Sequence, residues 1–459
     1  MSDMKVRQNV DSAKSIKELS VHGLFGMFNH RVVLNEKDRI TIVYGPNGIG
    51  KTTLLLLLNS IFNKKFSELR KAIFSKIEII FHDDTSLQIT KKAQEKKNKN
   101  FLNLHFEYKS NGEIKSWKPK SIDVNENYNM RFPLSMIERV IPSLERIRPD
   151  SWLDLNSKET LSLQDVIERY GHELPTEFSE LIDREIEPGL LNLLNSVSVK
   201  FIEVQRLFRL GKAMSSPGRG GREIMWSVER YSEQLSRAIK EKLAEFASVS
   251  QELDRTFPDR VVKQSETESD PMLLRRLKEL EELRVRYEKV GLYGKGEKSF
   301  TTQTEIENDT ARKVFSVYIA DMAEKLSLLE DMAAKIEVML QVVNGHLFKY
   351  KSMSIDAEKG FVFTNSLDKQ LSPLDLSSGE QHELILLYEL LFKVNKNSLI
   401  LIDEPEISLH VAWQKKMLEN LNRIIKLVHI NVLIATHSPQ IINNRWDLTV
   451  ELGGGPNEE

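Results

Sequence analysis

The chain has 459 residues, 65 basic and 67 acidic side chains, a formal net charge of −2 and no cysteine. Near neutrality gives no global field for recruiting nucleic acid, and the missing thiols exclude disulfide scaffolds, thiol nucleophiles, thiolate zinc sites and iron–sulfur clusters. The N-terminus MSDMKVRQNVD lacks a signal-peptide core and no apolar run reaches the roughly eighteen residues of a membrane span, so a soluble cytoplasmic protein without membrane contact is expected.

The first segment, residues 1–130, alternates short β-rich runs, KSIKELSVHGLFG, HRVVLN and RITIVYG. The third feeds into GPNGIGKTT, and a helix is expected from Thr53 to Phe62, its Leu54–Leu58 run buried. KIEIIFHDD, SLQITKK and FLNLHFEYK then read as antiparallel hairpins beside a nucleotide core. In the second segment, 131–222, residues from about Arg131 to Asn195 look mainly helical. SVSVKFIEVQRL predicts a strand ending at Gln205 and Arg206, and the Pro/Gly/Ser composition of SSPGRGGRE predicts a mobile loop.

Residues 223–345 form a helical or coiled-coil insertion. Leu235, Ile239 and Leu243 recur on one face, as do Leu274, Leu277 and Leu280, then Val314, Val317, Leu326, Leu329 and Ile336. TFPDRVV and GLYGKGEKSF break the run, which predicts a hairpin or small bundle and not a long coiled coil. In the last segment, 346–459, FKYKSMSID and GFVFTN predict a hairpin. LDLSSGEQHELILLYELL opens an apolar helix, and LILID and INVLIATHSP are apolar strands.

Gly45, Gly50, Lys51 and Thr52 satisfy G-x-x-x-x-G-K-[ST] between a predicted strand and helix. Gly45, Pro46, Asn47, Gly48, Ile49, Gly50, Lys51, Thr52 and Thr53 would bring backbone N–H groups and a helix N-terminus to the phosphates of ATP. Lys51 is expected to reach the β- and γ-phosphates and Thr52 to hold Mg²⁺. Asp403, ending the acidic strand, would also hold Mg²⁺, and Glu404 would orient or deprotonate the attacking water. His437 ends the next strand, where a neutral imidazole can meet the γ-phosphate. Gln205 ends a third strand and is a candidate for contact with Mg²⁺ and the lytic water.

These pieces, in this order and with Leu376, Ser377, Ser378, Gly379 and Glu380 ahead of the acidic strand, resemble the ATPase heads of the ABC superfamily, in the branch of SMC, RecF and overcoming-lysogenization-defect proteins. The resemblance implies an α/β P-loop head, a mixed sheet with flanking helices and an antiparallel β subdomain, carrying a helical insertion. It also implies that the Ser-Ser-Gly-Glu loop caps ATP bound by a second copy, so that the chain works as an ATP-dependent dimer or higher oligomer. A serine hydroxyl and a helix N-terminus can form such an anion site; the same Ser–Glu spacing also reads as a capping box. Ser378 and Glu380 stand where the commonest ABC signature has Gly and Gln. Glu404-Pro405-Glu406 and His410 match the branch, Val411 replaces its usual proline, and His410 is read as a turn residue at a subunit boundary.

The insertion is too short for a cohesin-like arm, the stretch after His437 too short for a TOPRIM nuclease, and FHDDTSLQITKK lacks the acid-x-lysine spacing of a nuclease. A short head of this kind is similar to the PtuA ATPase subunits of Septu anti-phage systems, a likeness shared by LDRTFPDRVV, and this implies a separate nuclease subunit of HNH type. The alternatives are a nucleotide-gated scaffold with little turnover, a PARIS-type defence ATPase, and a RecF-like repair ATPase. Candidate DNA contacts are Lys91 to Asn100, and Arg219 with Arg222 in the expected mobile loop, where flexible cations could meet phosphate; the plainer alternative is ordinary solvated loops.

Overall fold

Ile40–Tyr44, Leu399–Asp403 and Asn431–Thr436 are apolar along nearly their whole length because both faces are covered, the condition of strands inside a parallel sheet. In the computed structural model they form the middle of a five-stranded sheet ordered Val199–Glu203, Leu399–Asp403, Asn431–Thr436, Ile40–Tyr44, Thr449–Glu451. All four pairings are parallel. Register sets Glu203 beside Asp403, Asp403 beside Ala435, and Thr436 beside Tyr44, so the carboxyl ends finish level. The structure describes residues 14–96, 99–110, 112–119, 134–141, 143–149, 151–155, 157–170, 174, 183, 186–203, 222–265, 268–293, 308–407 and 411–453.

The chain divides into two units, residues 1–219 with 394–459, and residues 220–393. In the first, the helix Lys51–Phe62 buries Leu54, Leu55, Leu57, Leu58, Ile61 and Phe62 in one core with Val43, Leu401 and Leu433. Each such burial contributes about 1.5–3 kcal/mol relative to exposure, and together they fix the helix whose first turn carries Lys51 and Thr52. The expected hairpins exist within a six-stranded sheet ordered Phe28–Val33, Ile16–Leu24, Lys76–Phe81, Ser86–Lys96, Lys99–Ser110, Glu113–Trp117. Its pairings are antiparallel, and Ile77, Ile79 and Phe81 alternate into the core.

Residues 131–195 depart from the expected helical reading. Leu144–Arg148, Ser151–Asp154 and Glu159–Ser162 form a three-stranded antiparallel sheet, followed by the helix Leu163–Tyr170 and, further on, Pro188–Asn195. Trp152 and Leu161 are buried from it, and buried Asp154 takes bonds from Arg169 Nη1 at 3.2 Å and Tyr170 Oη at 2.8 Å. Strands of four or five residues are too short to establish a period of two.

In the second unit the helices Arg222–Lys263, Asp270–Lys289 and Asp309–Val342 pack together, the first and second each against the third. The expected bundle is present, with two corrections. Val314 is exposed and Leu273 is more deeply buried than Leu274. The TFPDRVV stretch does not break its helix: Pro258 lies inside it. Side chains reach carbonyls of the turn before it, Leu253 O accepting from Arg260 Nη2 at 2.7 Å and Glu252 O from Thr256 Oγ1 at 3.2 Å.

The predicted hairpin is Lys351–Asp356 with Gly360–Asn365. Its turn is tied to the first long helix by Ser232 Oγ to Lys359 O and Ser236 Oγ to Ala357 O, both 2.8 Å. Gly360, at φ 73°, has the Ser232 carbonyl 2.1 Å from where a Cβ would stand, so only glycine fits. The helix Ser378–Phe392 joins this unit through Tyr231, whose hydroxyl donates to Glu389 and whose ring lies 4.7 Å from that of Tyr388. Among the described residues, no helix is long and apolar enough to cross a membrane.

Candidate active site

The loop between Tyr44 and Lys51 turns back over the sheet edge because Gly48 and Gly50 adopt φ of 85° and 100°. At Gly50 a Cβ would also stand 2.5 Å from Leu24 Cδ2. Lys51 is buried, and its Nζ donates to Gly45 O at 2.8 Å and Pro46 O at 3.0 Å, so the ammonium lies within the loop. Beneath the loop, buried His30 has Nε2 2.8 Å from Ile49 O, and burial pushes its imidazole below the usual histidine range.

Thr52 Oγ1 donates to Asp403 Oδ1 at 3.0 Å, joining the loop's helix to the end of the acidic strand. A hydroxyl and a carboxylate on a level strand edge are hard oxygen donors, which suit Mg²⁺ and not a thiolate- or imidazole-seeking metal.

Glu404 comes next at φ 42°, a left-handed conformation that costs a non-glycine residue about 1–3 kcal/mol. It is held there by its N–H to Ala435 O at 2.9 Å and by Ile407 N–H to its own carbonyl at 3.2 Å. The turn Pro405–Ile407 then brings Glu406 back under the neighbouring strand. Glu406 Oε1 accepts from Thr436 Oγ1 at 2.7 Å and from His437 N–H at 3.0 Å, and lies 3.0 Å from His437 Nδ1. Its side chain is 8 % exposed and that of His437 47 %. Gln414 extends the link, donating to Glu406 O at 3.1 Å and accepting from Ser438 Oγ at 3.1 Å.

In the other unit, the loop before Ser378–Phe392 forms the capping box that the Ser–Glu spacing suggests. Ser377 Oγ accepts from Glu380 N–H at 3.3 Å, and Glu380 Oε2 accepts from Ser377 N–H at 2.7 Å and from Lys351 Nζ at 2.9 Å. Gln381 Nε2 holds the preceding turn by Leu376 O at 3.0 Å. Ser378 is exposed and Gly379 half-buried.

Of the residues expected from sequence, Lys51, Thr52, Asp403, Glu404 and His437 therefore share one sheet edge. Gln205 and His410 lie outside the described residues; the strand Val199–Glu203 does run to that edge, Glu203 beside Asp403. Two further residues of the edge escape sequence reasoning. Glu406 belongs to the Glu-Pro-Glu match but carries no task in it, and an acid two positions past a strand-end acid is the signal that marks it. His30 has no motif.

The lysine-rich stretch is not a solvated loop. Ser86–Lys96 and Lys99–Ser110 pair across it, and Lys91 turns inward, donating to Arg70 O at 2.9 Å and to Ala72 O, 4.4 Å from the Phe74 ring centre. Burial pushes Lys91 down to about 8. Arg219 lies outside the described residues, and Arg222 opens a helix.

A family model described as "AAA domain, putative AbiEii toxin, Type IV TA system" matches residues 40–443, from the first residue of the P-loop strand to beyond His437. Over 82 residues the chain is 35% identical to the Retron Ec83 probable ATPase of Escherichia coli, a stretch of 16% of this chain and 15% of that protein. The chain thus matches only a small part of that relative's length. Among solved structures, it is similar to the Smc head domain of Pyrococcus furiosus with an extended coiled coil, bound to the C-terminal domain of ScpA, at 11% identity and a TM-score of 0.34, covering 94% of this chain and 92% of that one. The SMC head domain from Thermotoga maritima matches at 10% identity and a TM-score of 0.31, covering 93% and 90%.

Proposed function

This chain belongs to the AAA-domain family described as putative AbiEii toxin, Type IV TA system, with the α/β fold of a P-loop ATPase, and from that premise we propose that it binds and hydrolyses ATP in a bacterial defence complex. Two copies join head to head around nucleotide, and the cycle of joining and release governs a separate nuclease subunit, HNH-type in a Septu-like arrangement. The observation that carries the reading is the 3.0 Å bond from Thr52 to Asp403, which unites the phosphate loop with the acidic strand.

In this reading the P-loop amides and Lys51 take the β- and γ-phosphates. Thr52 and Asp403 would hold Mg²⁺, which when bound supplies charge neutralisation on the phosphate oxygens. Glu404, aimed by its left-handed backbone, takes the proton of the attacking water. Ser377 and Glu380 serve the cap, so the exposed Ser378 hydroxyl and the first-turn amides of its helix are what a second copy's γ-phosphate would meet. A family description naming a toxin and a relative named as a retron ATPase support the defence setting.

The test is light scattering during gel filtration, with Glu404→Gln to stall turnover. With ATP and Mg²⁺ the stalled protein is expected to double in mass, and Glu404→Gln/Ser378→Arg to remain single. A wild-type protein that turns over no ATP, together with a stalled variant that stays single at saturating ATP, would overturn the reading.

A further inference from the structure

We infer that His30 is a positioning residue for the phosphate loop: by holding the Ile49 carbonyl from beneath, it turns the Gly50 N–H away from the core as a fixed donor to a nucleotide phosphate. The inference rests on the ATPase reading of this edge and deepens it, because the motif names the glycine and leaves open what sets the peptide in front of it.

His30 Nε2 is hydrogen-bonded to Ile49 O at 2.8 Å. A carbonyl oxygen only accepts, so Nε2 carries the hydrogen. The Ile49 carbonyl and the Gly50 N–H belong to one planar peptide unit, and no described peptide is cis, so the two groups point in opposite directions. Fixing the oxygen therefore fixes the donor. With Ile49 O drawn to His30, the Gly50 N–H faces away from that ring.

Three observations mark the contact as built and not incidental. His30 is 4 % exposed and its ring stacks on that of Phe28, with centroids 5.8 Å and planes 12° apart, so packing holds it in place. The same hairpin, Ile16–Leu24 with Phe28–Val33, closes on Gly50 a second time: a Cβ there would stand 2.5 Å from Leu24 Cδ2 and 3.2 Å from Phe25 Cε2. Finally, Gly50 is buried, and among the described residues its N–H makes no hydrogen bond. Backbone donors on buried residues are nearly always paired, so this one calls for an acceptor from outside the chain. It stands at the head of the helix Lys51–Phe62, where the field of the helix favours an anion.

The test reads the amide itself. Ile49–Gly50 is the only Ile-Gly pair in the sequence, so protein labelled with carbonyl carbon-13 isoleucine and nitrogen-15 glycine gives one correlated amide signal, that of Gly50. In the Glu404→Gln protein, ATP with Mg²⁺ is expected to move this amide proton downfield, as donation to an anionic oxygen does. His30→Leu, added to it, fills the space without a donor; it should abolish most of the shift and weaken ATP binding, measured by calorimetry, by about tenfold or more, the size of a lost hydrogen bond to a charged group. His30→Gln, which can still donate to Ile49 O, should bring back the shift and most of the affinity. A histidine that only fills the core would lower the urea midpoint in both variants and leave the affinity of the folded protein alone. A Gly50 amide unmoved in the ATP-bound protein, affinity that survives His30→Leu, or a Gln variant as weak as the Leu variant overturns the inference. Should His30→Leu fail to fold, the Gly50 shift with His30 in place and the nitrogen-15 spectrum of its ring decide, and a hydrogen on Nδ1 in place of Nε2 overturns it. No ATP binding at all, with the Nε2–H signal intact, would instead sink the ATPase reading and leave the His30–Ile49 bond standing.

Discussion

Thr52 and Asp403, 351 positions apart in sequence, meet side chain to side chain at 3.0 Å. One comes from the first turn of the P-loop helix and the other from the end of the strand two places from the P-loop strand, so the contact depends on the level carboxyl ends of the parallel sheet. A metal-dependent reaction placed there answers to both residues together.

Thr52→Val keeps the branched shape and removes the hydroxyl. Stability should change by no more than about 1.5 kcal/mol, the worth of one hydrogen bond, while the Mg²⁺ concentration for half-maximal turnover rises at least about tenfold, as for loss of one ligand. Magnesium titrations of the hydrolysis rate, alongside urea unfolding, check this; an unchanged Mg²⁺ requirement counts against the placement.

Ser377 and Ser378 separate a helix cap from a nucleotide contact. Ser377→Ala removes the Oγ that accepts from Glu380 N–H and should cost about 1 kcal/mol of stability. Ser378→Ala, at an exposed position, should stay within about 0.5 kcal/mol yet lower turnover by the larger factor. Denaturation and rate measurements on both variants decide; equal rate losses would remove the distinction.

At the P-loop, Gly50→Ala and Gly48→Ala share a positive φ but not their surroundings. An added Cβ at Gly50 meets Leu24 Cδ2 at 2.5 Å, and at Gly48 meets nothing within 4 Å. Gly48→Ala should therefore cost about 1 kcal/mol for the backbone alone, and Gly50→Ala about 1–3 kcal/mol more through overpacking against Leu24. Urea midpoints of the two variants give the comparison.

Lys91 and His30 set opposite ends of a pH profile. Lys91 is pushed down to about 8 from 10.5, so the unfolded chain binds more protons between those values. Its contribution is fully present above 10.5 and is lost as pH falls through about 8, and Lys91→Met should flatten that rise. Buried His30 lies below 6.5, so its contribution is present above 6.5 and lost as pH falls through its folded value. His30→Gln, which can still donate to the Ile49 carbonyl, should weaken the acid dependence. Unfolding free energies across the range from acid to strongly alkaline pH test both; a slope unaltered by either variant refutes that variant's assignment.

Much of the candidate site was legible because its residues sit at the junction of a periodic run and a turn. ITIVY, LILID and NVLIAT announce buried strands, and the glycine, glutamate or histidine just past each stands at the ligand edge by position alone. Less legible were features set by contacts distant in sequence. Pro258 signals a helix end from sequence alone, and only the structure shows Arg222–Lys263 running through it, with Arg260 and Thr256 bonded to carbonyls of the preceding turn. The lysines from 91 onward suggest a solvated loop unless Lys91 is seen turned over Phe74. Glu406 gains its meaning only when the strand bearing Thr436 is laid beside Leu399–Asp403.

The order of strands also bears on how this protein is made. Ile40–Tyr44 emerges early from the ribosome, yet its two sheet neighbours are Asn431–Thr436 and Thr449–Glu451, synthesised far later, and Tyr44 O waits for Leu452 N–H to close the strand's end at 2.8 Å. Through most of translation a sticky apolar ribbon must go without its lateral partners, a hazard that chaperones commonly shield. A nascent chain halted in the helical arm holds every P-loop residue and still has nowhere to seat them.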